Sequence, residues 1–154
     1  MSIMNSVDIK TQIENDIKDA MRAKDELRKR TLRMALSAIK LAEVDKGGPL
    51  DEQGLYGVIQ KEIKSRKESI ADAERAGRSD LITETQAEMV ILEGYLPQAL
   101  SPDELEQMAR EAIAEAGVNS PQQMGQVMKL LMPRLQGRAS GNEASQMVKK
   151  LLGA

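Results

Sequence analysis

The sequence predicts an all-α protein: an N-terminal helical domain of about four helices over residues 1–96, then a C-terminal three-helix domain over residues 97–154. Three observations carry this. Apolar residues recur at helical spacing in segment after segment. No stretch alternates apolar and polar residues with the β-branched enrichment of a strand. Gly, Pro and capping residues punctuate the periodic segments, most sharply between Leu96 and Leu100.

Ile9, Ile13, Ile17 and Met21 repeat every four residues with no Gly or Pro between them, which predicts a first helix over roughly residues 6–23. A second stripe, Leu27, Thr31, Met34, Ala35, Ala38, Ile39 and Ala42, runs beside Leu32 and Leu36, so this helix is expected to be covered on more than one side. It stops before Lys46-Gly47-Gly48-Pro49. Asp51 is placed to cap the third helix and Leu50 to staple it against Leu55. Leu55, Ile59, Ile63 and Ile70 turn inward, and Gly77 closes it in a left-handed conformation. Ser79 or Asp80 is the expected cap of a fourth helix carrying Ile82, Met89 and Leu92, which ends near Tyr95-Leu96-Pro97.

The fifth helix has a nearly complete start signal: Leu100 as staple, Ser101 as cap, Pro102 at the first helical position and Glu104 closing a capping box. Leu105, Met108, Ala109, Ala112, Ile113 and Ala116 form its apolar stripe, and Gly117 with Val118 ends it. Ser120-Pro121-Gln122-Gln123 repeats the capping logic for a sixth helix that buries Met124, Val127, Met128, Leu131 and Leu135, with Pro133 kinking or ending it. Ser140-Gly141-Asn142-Glu143 is a further capping box, opening a last helix that buries Ala144, Met147, Val148 and Leu151.

Composition narrows the chemistry. The 154 residues are 41% hydrophobic and 30% charged, which is globular. The core must be aliphatic and thioether, because Phe and Trp are absent, Tyr56 and Tyr95 are the two aromatics, and Met occurs ten times. Without Cys there is no disulfide, thiolate nucleophile or sulfur ligand, and without His the commonest metal ligand and general base are missing. No metal site and no cofactor is expected. No apolar run reaches the roughly 18 residues of a membrane span, so no membrane partner is expected. MSIMNSVDIK has no secretory pattern, and the expected location is cytoplasmic.

Phosphate-loop, dinucleotide-fold and HExxH motifs are all missing. The abundant carboxylates sit beside Lys and Arg at ion-pair spacing, as on solvated helix faces. Arg22, Lys24, Arg28, Lys29, Arg30 and Arg33 crowd one hairpin, and Lys61, Lys64, Arg66 and Lys67 crowd the third helix. Acids flank both groups, so either surface salt bridges or a phosphate track would account for them.

Net charge is only -2, but its distribution is uneven. Residues 97–117 hold Arg110 against Asp103, Glu104, Glu106, Glu111 and Glu115, whereas residues 118–154 hold Lys129, Arg134, Arg138, Lys149 and Lys150 against Glu143. The last segment is therefore basic. Within it, Gly125 sits inside a good helical pattern, where glycine costs about 1 kcal/mol relative to alanine. Either a neighbouring helix packs closely against Gly125 and Gly137 is a plain C-cap, or an RNA backbone approaches the glycines Gly125, Gly137 and Gly141 beside Arg138.

QKEIKSRKESIADAERAGRSDL from Gln60, LEGYLPQAL ending at Leu100, and MGQVMKLLMPRLQGRASG from Met124 resemble the YqeY family, also called the GatB/YqeY domain family, in order over nearly the whole chain. The resemblance implies a helical N-terminal domain and a three-helix domain similar to the tail of the B subunit of the tRNA-dependent amidotransferase, where the tail helps hold tRNA. On that basis the tail motif falls on Met124, Gly125, Lys129, Gly137, Arg138, Ala139 and Gly141, with Ser140 where the family often has an acid. The resemblance further implies carbon-nitrogen ligase activity with glutamine as amido-N-donor, for which the chain alone offers no activated nucleophile.

The expected function is an accessory tRNA-binding protein without its own catalytic site, using Lys129, Arg134, Arg138, Lys149 and Lys150. Its partners would be tRNA and a tRNA synthetase or amidotransferase subunit. Scarce aromatics favour folded RNA over base-stacked single strands. The alternatives are a helical protein-interaction adaptor, or an amidotransferase component acting in trans.

Overall fold

The structure is a computed structural model and describes residues 8–153. Seven α-helices and no strand occur among the described residues: α1 (Ile9–Ala23), α2 (Glu26–Lys46), α3 (Glu52–Arg75), α4 (Ser79–Glu93), α5 (Pro102–Ala116), α6 (Met124–Leu135) and α7 (Gly141–Leu151). The chain divides into two compact units, Met1–Leu96 and Pro97–Ala154. No helix among the described residues is long and apolar enough to cross a membrane.

The first unit packs an aliphatic core. Ile13 of α1, Leu32, Ala35 and Ile39 of α2, Ile59 of α3 and Leu92 of α4 are wholly buried. Each large side chain among them contributes about 1.5–3 kcal/mol by leaving water. Asp8 caps α1, accepting from the Thr11 N–H at 2.8 Å, so the helix starts at Ile9; residues 6 and 7, where it was expected to begin, lie outside the described residues. Its end is abrupt. Lys24 adopts the left-handed conformation (φ 57°) and the Asp25 N–H bonds the Ala20 carbonyl, so the buried seam closes on Ala20 and Met21 is left 51% exposed rather than inward.

Asp25 caps α2 and Asp51 caps α3, the latter accepting from the Gly54 N–H at 2.8 Å as its spacing predicts. At the other end of α3, Gly77 (φ 69°) lets the Arg78 N–H reach the Ala73 carbonyl, a Schellman closure. Neither Ser79 nor Asp80 caps α4. Its N-cap is Arg78, and the Asp80 carboxylate is instead held by that guanidinium at 3.0 and 3.1 Å, because a salt bridge between neighbours competes with capping. At the far end Tyr95, part-buried, donates its hydroxyl to Asp16 Oδ2 at 2.5 Å. Burial, then the Asp16 carboxylate, push the phenol well above its ordinary range.

One seam position is charged. Leu55, Ile59 and Ile63 line the inner face of α3, and the next place in that stripe is Arg66, 6% exposed. It donates to Glu88 Oε1 of α4 at 3.0 Å and to Glu62 Oε1 at 3.1 Å. Arg30 of α2 reaches Glu84 of α4 at 2.5 Å and Glu88 at 3.5 Å, so the network spans three helices. The basic groups of the hairpin and of α3 are thus partly absorbed by ion pairs, including Arg22 with Asp19 at 2.7 Å and Lys29 with Glu26 at 2.8 Å.

The second unit closes over Ala109 and Ala112 of α5, Val127 and Leu131 of α6, and Ala144 and Val148 of α7, all wholly buried. Both of its full capping boxes form: Ser101 with Glu104, and Ser140 with Glu143. Ser120 does not cap α6. The chain makes a single 3-10 turn at Pro121–Gln123 first, and the Gln123 side chain accepts from the Ser120 hydroxyl. Pro133 does not end α6 at once, since the helix runs to Leu135 and stops at Gln136 in the left-handed conformation (φ 48°).

Candidate nucleic-acid interface

The inner face of α6 is fixed by Val127, Leu131 and Leu135. Helical spacing then turns Gly125, Lys129 and Met132 outward, and all three are exposed. On α7 the same logic, with Ala144 and Val148 inward, leaves Lys149 and Lys150 exposed in the last turn.

The five predicted cations are not equivalent. Lys129, Lys149 and Lys150 have no ion-pair partner among the described residues. Arg134 is held by Glu115 Oε2 at 2.6 Å. Arg138 is half-buried and committed to the fold: its Nε donates to the Gln98 carbonyl at 2.9 Å, its own carbonyl accepts from the Leu100 N–H at 2.8 Å, and its Nη2 lies 3.9 Å from Glu104. The Glu104 carboxyl is held below the ordinary carboxylate range, first by the Ser101 N–H and then by the Ser101 hydroxyl, with Arg138 adding to the effect.

The glycines separate in the same way. Gly137 takes φ +78° and is buried, so its conformation alone calls for glycine. A side chain at Gly141 would meet Met132 Cε at 3.3 Å, so α7 starts against that methionine. Gly125 differs from both, because a Cβ there would meet nothing within 4 Å. Close packing of another helix is therefore not the reason for glycine at this position.

The string from Gly137 to Ser140 is accordingly structural in detail: a left-handed turn, a clasp on residues 98–100, the buried Ala139 and the cap of α7. Sequence reasoning missed the clasp, since nothing in the spacing of Gln98 and Arg138 announces it. It also took Arg66 for a surface charge, although Ile59, Ile63, Arg66 and Ile70 already follow one helical stripe. No group of three or more carboxylates placed to hold a metal ion occurs among the described residues.

Residues 10–152 match the family described as Yqey-like protein. The chain belongs to the YqeY family. Among the relatives of this YqeY chain is "Altered inheritance of mitochondria protein 41, mitochondrial" of Lachancea thermotolerans, 41% identical over 98 residues, which are 63% of this chain and 52% of that one. The protein of the same name in Kluyveromyces lactis is 48% identical over 84 residues, 54% of this chain and 45% of that one. The one in Pyrenophora tritici-repentis is 30% identical over 146 residues, 93% of this chain and 80% of that one. The YqeY chain thus spans about half the length of the first two relatives. All three are named as mitochondrial proteins, and this overturns the cytoplasmic location expected from the sequence. The expectation rested on the lack of a secretory pattern, which bears on the secretory route alone.

Proposed function

We propose that this YqeY chain is an accessory RNA-binding protein whose C-terminal three-helix domain docks folded, tRNA-type RNA, with the N-terminal four helices forming a separate domain. The observation that carries the reading is Gly125. It is an exposed helical glycine whose Cβ position is empty, one turn before the unpaired Lys129. Glycine there gives up helix stability without serving the fold, and it leaves room for a phosphate backbone to approach the main chain.

Lys129, Lys149 and Lys150 supply the phosphate contacts in this reading. Arg134 joins them once Glu115 releases it, and Arg138 positions the loop rather than binding. Tyr56 and Tyr95 both lie ahead of residue 97, so the C-terminal residues offer no ring on which to stack a base. Recognition by shape and backbone follows. Such a domain would serve an enzyme acting on the same RNA, a tRNA synthetase or an amidotransferase subunit.

Three lysines and the released Arg134 neutralise at most about four phosphates, so the logarithm of the affinity should fall by about 3 to 4 units per tenfold rise in salt. A mobility shift with total tRNA across a salt series tests this. Intact chain should bind with that slope, and a Lys129→Glu, Lys149→Glu, Lys150→Glu variant with an unchanged helical spectrum should lose binding. Absence of binding at low salt, or unaltered binding by the variant, would sink the reading.

A further inference from the structure

The four cations that crowd α3 do not share one fate. Arg66 is buried between Glu62 and Glu88, whereas Lys61, Lys64 and Lys67 are exposed and have no ion-pair partner among the described residues. Spaced three residues apart, they form a single ridge inclined about 45° to the helix axis and about 9 Å long along it. The exposed positions of α3 from Gln53 to Lys67 are Gln53, Gly57, Lys61, Lys64, Ser65 and Lys67, so this stretch presents cations with no acid and no apolar side chain. Glu52 and Glu68 bound it.

Two glycines stand in the first turns of the same helix, and the fold accounts for one. A Cβ at Gly54 would press on Leu50 and on Asp51 Oδ1 at 3.2 Å, where the staple and the cap of α3 sit. A Cβ at Gly57 would meet nothing within 4 Å. Gly57 is exposed within α3, one turn before Lys61 and two before Lys64 on the same face. Glycine weakens a helix interior relative to alanine, and no packing requires it here. Gly125 and Lys129 stand in the same relation on α6.

We propose that the outward face of α3, from Gly57 to Lys67, docks an RNA phosphate backbone as a second contact carried by the N-terminal unit. The lysines supply the charge, and Gly57 lets the backbone close on the main chain where a methyl would hold it off. A partner helix or a bilayer surface needs apolar anchors, which the exposed positions of this stretch do not offer. A phosphate backbone needs none. Three cations against four make this the weaker contact, filled in a separate event at low salt. It rests on the C-terminal reading for the kind of polymer alone, so either surface can fail without the other.

Neutralising the C-terminal surface with Lys129→Gln, Lys149→Gln and Lys150→Gln in the full chain lets the α3 surface be read alone. Fluorescence anisotropy of fluorescein-labelled tRNA at low salt should show binding that persists, with the logarithm of the affinity falling by about 2 to 3 units per tenfold rise in salt. In that background Lys61→Gln, Lys64→Gln and Lys67→Gln together should weaken it at least tenfold, and Gly57→Ala several-fold at an unchanged or higher melting temperature. Lys18→Gln, Lys24→Gln and Lys40→Gln, which remove the same charge from exposed positions elsewhere in the unit, should weaken it less than threefold. An unchanged helical spectrum checks every variant. Binding by the intact chain that the C-terminal changes alone abolish would overturn this proposal and leave the C-terminal reading standing. The converse, C-terminal changes without effect and α3 changes that abolish binding, would support this proposal alone. Equal losses from the two sets of α3 and scattered lysines, or Gly57→Ala as tight as its parent, would overturn it. So would displacement of the RNA by polyglutamate as readily as by unlabelled tRNA, tighter binding to anionic phosphatidylglycerol vesicles, or no RNA binding by the intact chain.

Discussion

Arg138 Nε donates to the Gln98 carbonyl across 2.9 Å, and this ties the segment ahead of α5 to the loop between α6 and α7. One of the five cations that the sequence marks for RNA thus has a structural employment. Arg138→Ala should lower the stability of the C-terminal unit by about 1 kcal/mol, the usual net value of one such bond at a partly exposed site. Urea unfolding followed by circular dichroism measures this. At temperatures where the variant stays folded, its tRNA affinity should fall far less than that of Lys129→Glu.

Glu88 holds two arginines, Arg66 at 3.0 Å and Arg30 at 3.5 Å. Removing one partner of a buried pair leaves the other charge uncompensated, at about 3–5 kcal/mol. Glu62 still contacts Arg66, so Glu88→Ala should cost about 2–3 kcal/mol, toward or just below the bottom of that range. Glu84→Ala, whose pair with Arg30 is half exposed on both sides, should cost under about 1 kcal/mol. Urea midpoints of the two variants decide the order.

Several carboxylates are depressed by the fold: Asp8 by the Thr11 N–H, Glu43 by Lys10, Asp80 by Arg78 and Glu104 by the Ser101 N–H. A group whose folded value lies below its unfolded value stabilises fully above the unfolded value and loses that contribution as pH falls through the folded one. Stability should therefore be flat on the acid side down to about pH 5 and decline below about pH 4. The urea midpoint measured across that range checks it. Glu104→Gln should blunt the decline, since its capping acceptor no longer titrates.

Gly137, at φ +78°, should not tolerate a side chain. Gly137→Ala forces a left-handed alanine next to the already left-handed Gln136, costing about 1–2 kcal/mol. A lowered melting temperature without change in the salt slope of RNA binding is the expected pair of results.

What the sequence made legible was local. The boxes at Ser101 and Ser140 need partners only three residues away, and the glycine closure at Gly77 needs none outside its own turn, so spacing suffices to read them. The side a residue faces was harder. Met21 and Met34 fit apolar stripes yet lie half exposed, because periodicity marks the stripe and neighbouring elements decide which part is covered. Arg66 and Arg138 failed for a related reason. Their partners Glu88 and Gln98 lie 22 and 40 residues away, and charge type alone does not reveal a long-range acceptor. Gly125 was visible as an oddity, while the empty space around it required the fold.

The central claim, that the surface around Gly125 and Lys129 receives an RNA backbone, is tested most directly by Gly125→Ala with two readouts on one preparation. The added methyl meets nothing in the fold, so urea unfolding should show stability unchanged or raised by up to about 1 kcal/mol. The mobility shift with tRNA should show affinity reduced several-fold, with the salt slope kept because the lysines remain. A variant that is at least as stable and binds tRNA as tightly as the parent would contradict the claim.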